Sequence, residues 1–194
     1  MKRALLTGAL VALAVAPQGA VAKPTSGDRQ NASQECRAER GTTSATREAF
    51  KIRYGTNKSK RNAFGKCVSR RASIEERQVR LAVTNAAKEC QAERALNPTA
   101  FAIKYGTNAK VTYGNPGNAF GKCVSAKARA KKAAADVADA TRILQRTDAA
   151  KACAAERRAD GRTEFGRTYG TVRSKRRNAF GRCVSKKAKA LAQS

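Results

Sequence analysis

The chain has 194 residues, with 41 Lys and Arg against 14 Asp and Glu and no His, a formal charge of +27 at pH 7. Aromatics make up 5%, Trp is absent, and half of the 41% hydrophobic share is Ala, which excludes one large core of Leu, Ile and Phe. The missing His removes His-based triads, His general bases and the commonest metal ligand.

From the N-terminus, Met1-Lys2-Arg3 is a short basic start, Ala4 to Ala16 is an apolar run, Pro17 and Gly19 break it, and Ala20-Val21-Ala22 is a small-x-small site. That is the layout of a secretory signal peptide over 1–22. The run is short of the roughly 20 apolar residues that span a bilayer, so an uncleaved anchor is the lesser alternative. Cleavage after Ala22 removes Lys2 and Arg3 and leaves +25. Residues 23–33, polar with Pro24 and Gly27, read as a flexible leader.

The remainder is one motif written three times. The copies open at Cys36, Cys90 and Cys153 in the pattern Cys-x-x-Glu-Arg. Each continues with Phe-x-x-x-Tyr-Gly-Thr, placing Phe50 and Tyr54, Phe101 and Tyr105, and Phe165 and Tyr169. Each closes with Asn-Ala-Phe-Gly-Lys/Arg-Cys-Val-Ser, which contains Phe64 and Cys67, Phe120 and Cys123, and Phe180 and Cys183. Of the aromatics only Tyr113 lies off these marks, in a longer second loop. The copies occupy 34–71, 88–126 and 151–188, with connectors at 72–87 and 127–150 and a tail at 189–194.

On these marks the chain resembles a family of small exported bacterial proteins with paired-cysteine repeats. The resemblance covers about 36–187, with Val172 departing where the other copies have Asn57 and Asn108. It implies export and repetition, and supplies no catalytic residue.

Asn62, Asn118 and Asn178 stand before helix-forming stretches and read as N-caps. Tyr and Phe at i, i+4 share one helical face, and Gly55, Gly106 and Gly170 after them fit the C′ position. No segment alternates as a strand would. The fold class is therefore all-α: three small disulfide-stapled helical repeats joined by long helical connectors. Cys67 to Cys90 is 23 residues and Cys123 to Cys153 is 30. At 100° per residue these offsets differ by only about 20°, as helical connectors require. The large apolar residues there are few (Ile74, Val79, Leu81 and Val83; Val137, Ile143 and Leu144), so each connector is a solvated bridge or partly frayed. Three knots on such bridges predict an elongated particle.

Six cysteines behind a signal peptide predict structural bridges in an oxidising compartment. Of the fifteen possible connectivities, the repeat selects Cys36–Cys67, Cys90–Cys123 and Cys153–Cys183. Cys67 and Cys90 on one helix would lie about 35 Å apart, too far to bridge. Zinc and redox readings lack Cys-x₂₋₄-Cys spacing and His. No cofactor is implied. Glu39, Glu93 and Glu156, one turn after the first Cys, are expected to accept from free N–H groups at the Asn-Ala-Phe-Gly helix start.

Basic residues cluster before each Asn: Lys58, Lys60 and Arg61 in copy one, and Arg173, Lys175, Arg176 and Arg177 in copy three, against Lys110 alone in copy two. Lys66, Lys122 and Arg182 follow in the first helical turn. The leading expectation is a secreted, non-enzymatic protein, extracellular or envelope-associated, that binds polyanions through these residues. The partner would be extracellular nucleic acid or an anionic cell-envelope polymer. The alternative is an envelope spacer or interaction scaffold. A membrane-active role ranks below both, because the connectors have no aromatic face. No integral membrane association is expected after cleavage, and oligomeric state is left open.

Overall fold

A computed structural model of the chain describes residues 23–106, 117–174 and 176–193. Residues 1–22, with the expected signal peptide, lie outside the described residues, as do Lys110, Tyr113 and Lys175. The elements are α1 (Ser26–Arg40), α2 (Ser44–Tyr54), α3 (Ala63–Leu96), α4 (Pro98–Tyr105), α5 (Ala119–Tyr169), a 3₁₀ turn (Val172–Ser174) and α6 (Ala179–Leu191), with no strand among the described residues. Gly161, at φ 74°, divides α5 into the second connector and a short helix equivalent to α2 and α4.

The three bridges join Cys36 to Cys67, Cys90 to Cys123 and Cys153 to Cys183, each with a Cα–Cα distance near 6 Å. With sequence separations of 30–33 residues, each stabilises by about 3–4 kcal/mol in the chain-entropy view. Beside each bridge sits a small core. Phe50, Tyr54, Phe101, Phe165 and Phe180 are buried, while Phe64, Phe120, Tyr105 and Tyr169 are half-buried. Within each repeat the Phe and Tyr rings of the short helix lie 4.9 Å apart.

The leader is not a flexible segment. Helix α1 begins at Ser26, where Thr25 and Asp28 form a reciprocal capping box. Ala32, inside the supposed leader, is fully buried. A cap and one small apolar residue sufficed to extend the helix into a polar sequence.

The connectors are continuous helix, but they are not separate bridges. Glu93 pairs with Lys127, Glu89 with Lys131, and Gln78 with Asp139, so α3 and α5 run antiparallel. Most of the large apolar residues do not make this contact: Val79, Leu81, Val83, Val137 and Leu144 are exposed. Ala72, Ala82, Ala86 and Ile143 are buried instead. Small side chains let the two backbones approach closely, and charged residues flank the seam.

This pairing overturns the elongated string. Repeat 2 sits at the turn of the hairpin, and repeats 1 and 3 meet at its open end. The second connector is seven residues longer, which carries the Cys153–Cys183 bridge about 10 Å beyond the Cys36–Cys67 bridge on nearly the same helical face. The stagger lets α2 of repeat 1 lie against repeat 3. Ala45 and Ala49 join the core of Phe165, Phe180 and Val184. Arg157 grips Glu48 through two hydrogen bonds of 2.8 Å and lies over the Phe180 ring. Two carboxylates of the fold, Glu75 from α3 and Glu35 from α1, also meet Asp139 of α5.

Glycine roles separate by repeat. A Cβ on Gly181 would lie 2.9 Å from the Ile52 side chain, whereas Gly65 and Gly121 have open space. We therefore expect Gly181→Ala to destabilise by about 1–3 kcal/mol through overpacking. Gly65→Ala should be neutral or gain up to about 1 kcal/mol from helix propensity. Denaturant unfolding midpoints check this, and equal midpoints for the two variants would exclude the docking of α2 on α6.

Candidate polyanion interface

Each repeat is built around a buried or half-buried tyrosine–glutamate contact. Tyr54 donates to Glu39 at 2.7 Å, Tyr169 to Glu156 at 2.6 Å, and Tyr105 to Glu93 at 3.1 Å. A cation four residues past the second Cys completes it: Arg71 on Glu39, Lys127 on Glu93 and Lys187 on Glu156. Glu39, Glu93 and Glu156 thus bind a phenol and a side-chain cation, not the helix-start N–H groups expected of them. The phenol, held on the same face as Phe by the i, i+4 spacing, reaches the carboxylate first. Sequence reasoning missed the cation, although Arg71, Lys127 and Lys187 recur at one repeat position.

These contacts shift the groups that make them. Burial, and then the Glu39 charge, pushes the Tyr54 phenol up to about 12. The hydrogen bond to Glu156, and then burial, takes Tyr169 to about 12. Lys104 and Lys127 hold the Glu93 carboxyl down to about 2.

Two loop expectations need correction. Asn62 and Asn178 occupy the N-cap position, but their φ and ψ are not extended and no side-chain cap forms. Their amides fasten the preceding loop instead: Thr56 N–H donates to Asn62 Oδ1 at 3.1 Å, and Thr171 N–H to Asn178 Oδ1 at 3.2 Å. Asn118 likewise makes no side-chain cap. Gly55, Gly106 and Gly170 end their helices with φ between −72° and −84°, outside the left-handed region. Close approach is what requires glycine at two of them. A Cβ on Gly55 would lie 2.7 Å from the Lys51 carbonyl oxygen, and one on Gly170 would lie 2.5 Å from that of Gly166.

The same close approach draws in two of the predicted binding cations. Lys60 and Arg176, each two residues before the Asn, adopt φ 58° and 62°. Lys60 Nζ donates to the Gly55 carbonyl at 2.9 Å, and Arg176 folds its Cβ over Gly170. Both are parts of the loop fold. Lys60 is half-buried, whereas Arg176 stays exposed, as do Lys58, Arg61, Lys66, Arg173, Arg177 and Arg182.

The structure gathers cations that the linear clusters did not reveal. Arg40, Arg47 and Lys51 join Lys60 and Arg61 around Phe50 and Phe64 in a groove of about 280 Å³. Arg53, Arg146, Arg182, Lys186 and Lys189 line a cleft of about 680 Å³ between repeats 1 and 3. Neither is lined by a carboxylate among the described residues. A third groove, of about 730 Å³, carries Arg157, Arg162, Arg176 and Arg177, with Glu48 already held by Arg157. Only side chains that tertiary folding brings together form these sites, so sequence clustering had no access to Arg146 or Lys189.

Most carboxylates are taken up in ion pairs at the same time, and Glu39, Glu75 and Asp139 are buried. All 14 acidic residues are described, and all but Asp28 and Asp160 are in ion pairs. The carboxylate oxygens of Glu35, Glu75 and Asp139 lie within 4.8 Å of one another. Arg71, Lys132 and Arg142 pair with them, Arg71 and Lys132 being shared with Glu39 and Asp136. Burial nevertheless raises the Glu35 carboxyl above its ordinary range, against the pull of Arg71.

No protein-family model, curated protein or solved structure matches the chain.

The tyrosine contacts have a measurable signature. A phenol raised above its unfolded value near 10 favours the folded state below pH 10, and that contribution is lost as pH rises through about 12. In a phenolate absorbance titration, Tyr54 and Tyr169 should ionise late, near pH 12. Glu156→Gln should bring Tyr169 back toward the ordinary value. Ionisation of Tyr54 and Tyr169 near pH 10 would rule out both contacts.

Proposed function

We propose that this is an exported, non-enzymatic repeat protein that binds polyanions, either extracellular nucleic acid or an anionic cell-envelope polymer. The observation that carries this reading is the division of charge. All but two of the 14 acidic residues are held in ion pairs, while cations collect in grooves without carboxylate lining. Concave sites lined by one sign of charge focus the field toward a ligand of the other. Three disulfides belong to an oxidising compartment. No helix among the described residues is long and apolar enough to cross a membrane. The fold-back of α3 on α5 favours binding over a spacer role, because it halves the reach that two connectors in line would have had.

Binding should be sequence-indifferent and strongly salt-dependent, with a log–log slope of about −0.9 per phosphate neutralised on B-DNA. Replacing Arg61, Arg173 and Arg177 with Gln should weaken DNA or heparin binding. On DNA the slope should flatten by up to about 0.9 for each phosphate that is no longer neutralised. Lys60 and Arg176 are left in place because they support the loops. Fluorescence anisotropy across a salt series makes the measurement. A triple variant that binds like the parent, with an unchanged slope, would move the scaffold reading ahead.

A further inference from the structure

The cleft between repeats 1 and 3 differs from the other basic surfaces in how it is made. Its walls come from three elements distant in sequence. Arg53 lies on α2, Arg146 on α5, and Arg182, Lys186 and Lys189 on α6. The floor is apolar, with Ala49, Ile52 and Val184. Arg53 contacts Glu39 at 3.3 Å. Arg146, Arg182, Lys186 and Lys189 form no ion pair among the described residues, although pairing is the rule for the chain's carboxylates. Four like charges lining one cleft repel one another, and an anion seated among them relieves that repulsion.

The size and curvature of the site select the anion. About 680 Å³ lies within the range of small-molecule pockets. A duplex presents its phosphates on a convex surface and cannot enter. A sparsely charged carboxylate polymer brings one charge per sugar, too few for this many cations in so small a volume. A phosphate chain brings one charge per phosphate at close spacing, and the guanidinium forks of Arg146 and Arg182 match its paired oxygens.

We propose that this cleft is a specific site for a short, flexible oligophosphate chain, held chiefly by Arg146, Arg182, Lys186 and Lys189 with Arg53 at its edge. The proposal rests on the polyanion reading and narrows it. Because Arg53 comes from repeat 1 and Arg182 and Lys186 from repeat 3, a chain that reaches Arg53 also ties repeat 1 to repeat 3 and stabilises the docked arrangement.

Isothermal titration of the oxidised protein with inorganic tripolyphosphate tests this. One site per chain is expected, with a rise in thermal midpoint on saturation. Arg146→Gln and Lys186→Gln should each weaken binding roughly tenfold, the effect of removing one charge-assisted hydrogen bond. Arg80→Gln removes one charge from α3, outside the cleft and paired with Glu76, and should leave binding unchanged. Lys186 is exposed on α6, so its variant keeps the test valid if Arg146→Gln unfolds. Absent binding, or equal weakening by all three variants, overturns the cleft proposal. DNA binding measured alongside separates the two claims. If DNA still binds while tripolyphosphate does not, only the cleft assignment falls; if neither binds, the polyanion reading falls with it.

Discussion

The antiparallel contact of α3 with α5 is the constraint from which the rest of the molecule follows. Both helices are rich in charge, and neither carries a broad apolar stripe. They meet over Ala72, Ala82, Ala86 and Ile143, with Glu75, Gln78, Glu89 and Glu93 reaching partners on α5 from the seam's margins. Alanine buries little area per residue, so this seam is weaker per turn than one of leucines. It is long, however, and the bridges anchor both ends of each helix to neighbouring helices. Local staples and a long shallow seam together do what one deep core does in an ordinary domain of this size.

The disulfides and the pairing solve different problems. Each bridge closes a unit whose core is one or two phenylalanines, a tyrosine and small residues, too little to fold unaided. A tyrosine–glutamate–cation contact then places a charged network at the edge of each core. Because the acidic residues are few, their use in these networks leaves the excess cations on the outside by subtraction. The strongly basic surface is therefore partly a by-product of how the interior is wired, and partly a matter of where the surplus cations are gathered.

Much of the local plan was legible. The repeated marks located the helices, the aromatic cores and the six cysteines, because a motif written three times reports its own constraints. What was not legible depended on contacts between copies. Counting large apolar residues concealed the seam, since its buried residues are alanines with the single large Ile143, and Leu81 and Leu144 are exposed. The Asn and Gly assignments identified the correct helix boundaries and the wrong interactions. Asn62 secures Thr56, and Gly55 makes room for Lys60 rather than for a left-handed turn. The loop roles of Lys60 and Arg176 were hidden because nothing in their sequence neighbours reveals a side chain folded over a glycine. The basic cleft was invisible for a simpler reason: Arg53, Arg146 and Lys189 meet only after the hairpin closes.

The seven-residue difference between connectors makes the hairpin a vernier. Each connector is a graduated rod, and the offset between repeats 1 and 3 is the difference of two scales rather than a property of either repeat. Lengthening one rod by whole pairs of turns would slide one unit along the other while both kept their facing. Changes far from a whole number of turns would rotate the units out of register. Relative placement of the two ends is thus encoded in residues that touch neither of them, which frees the repeats themselves to diverge in charge.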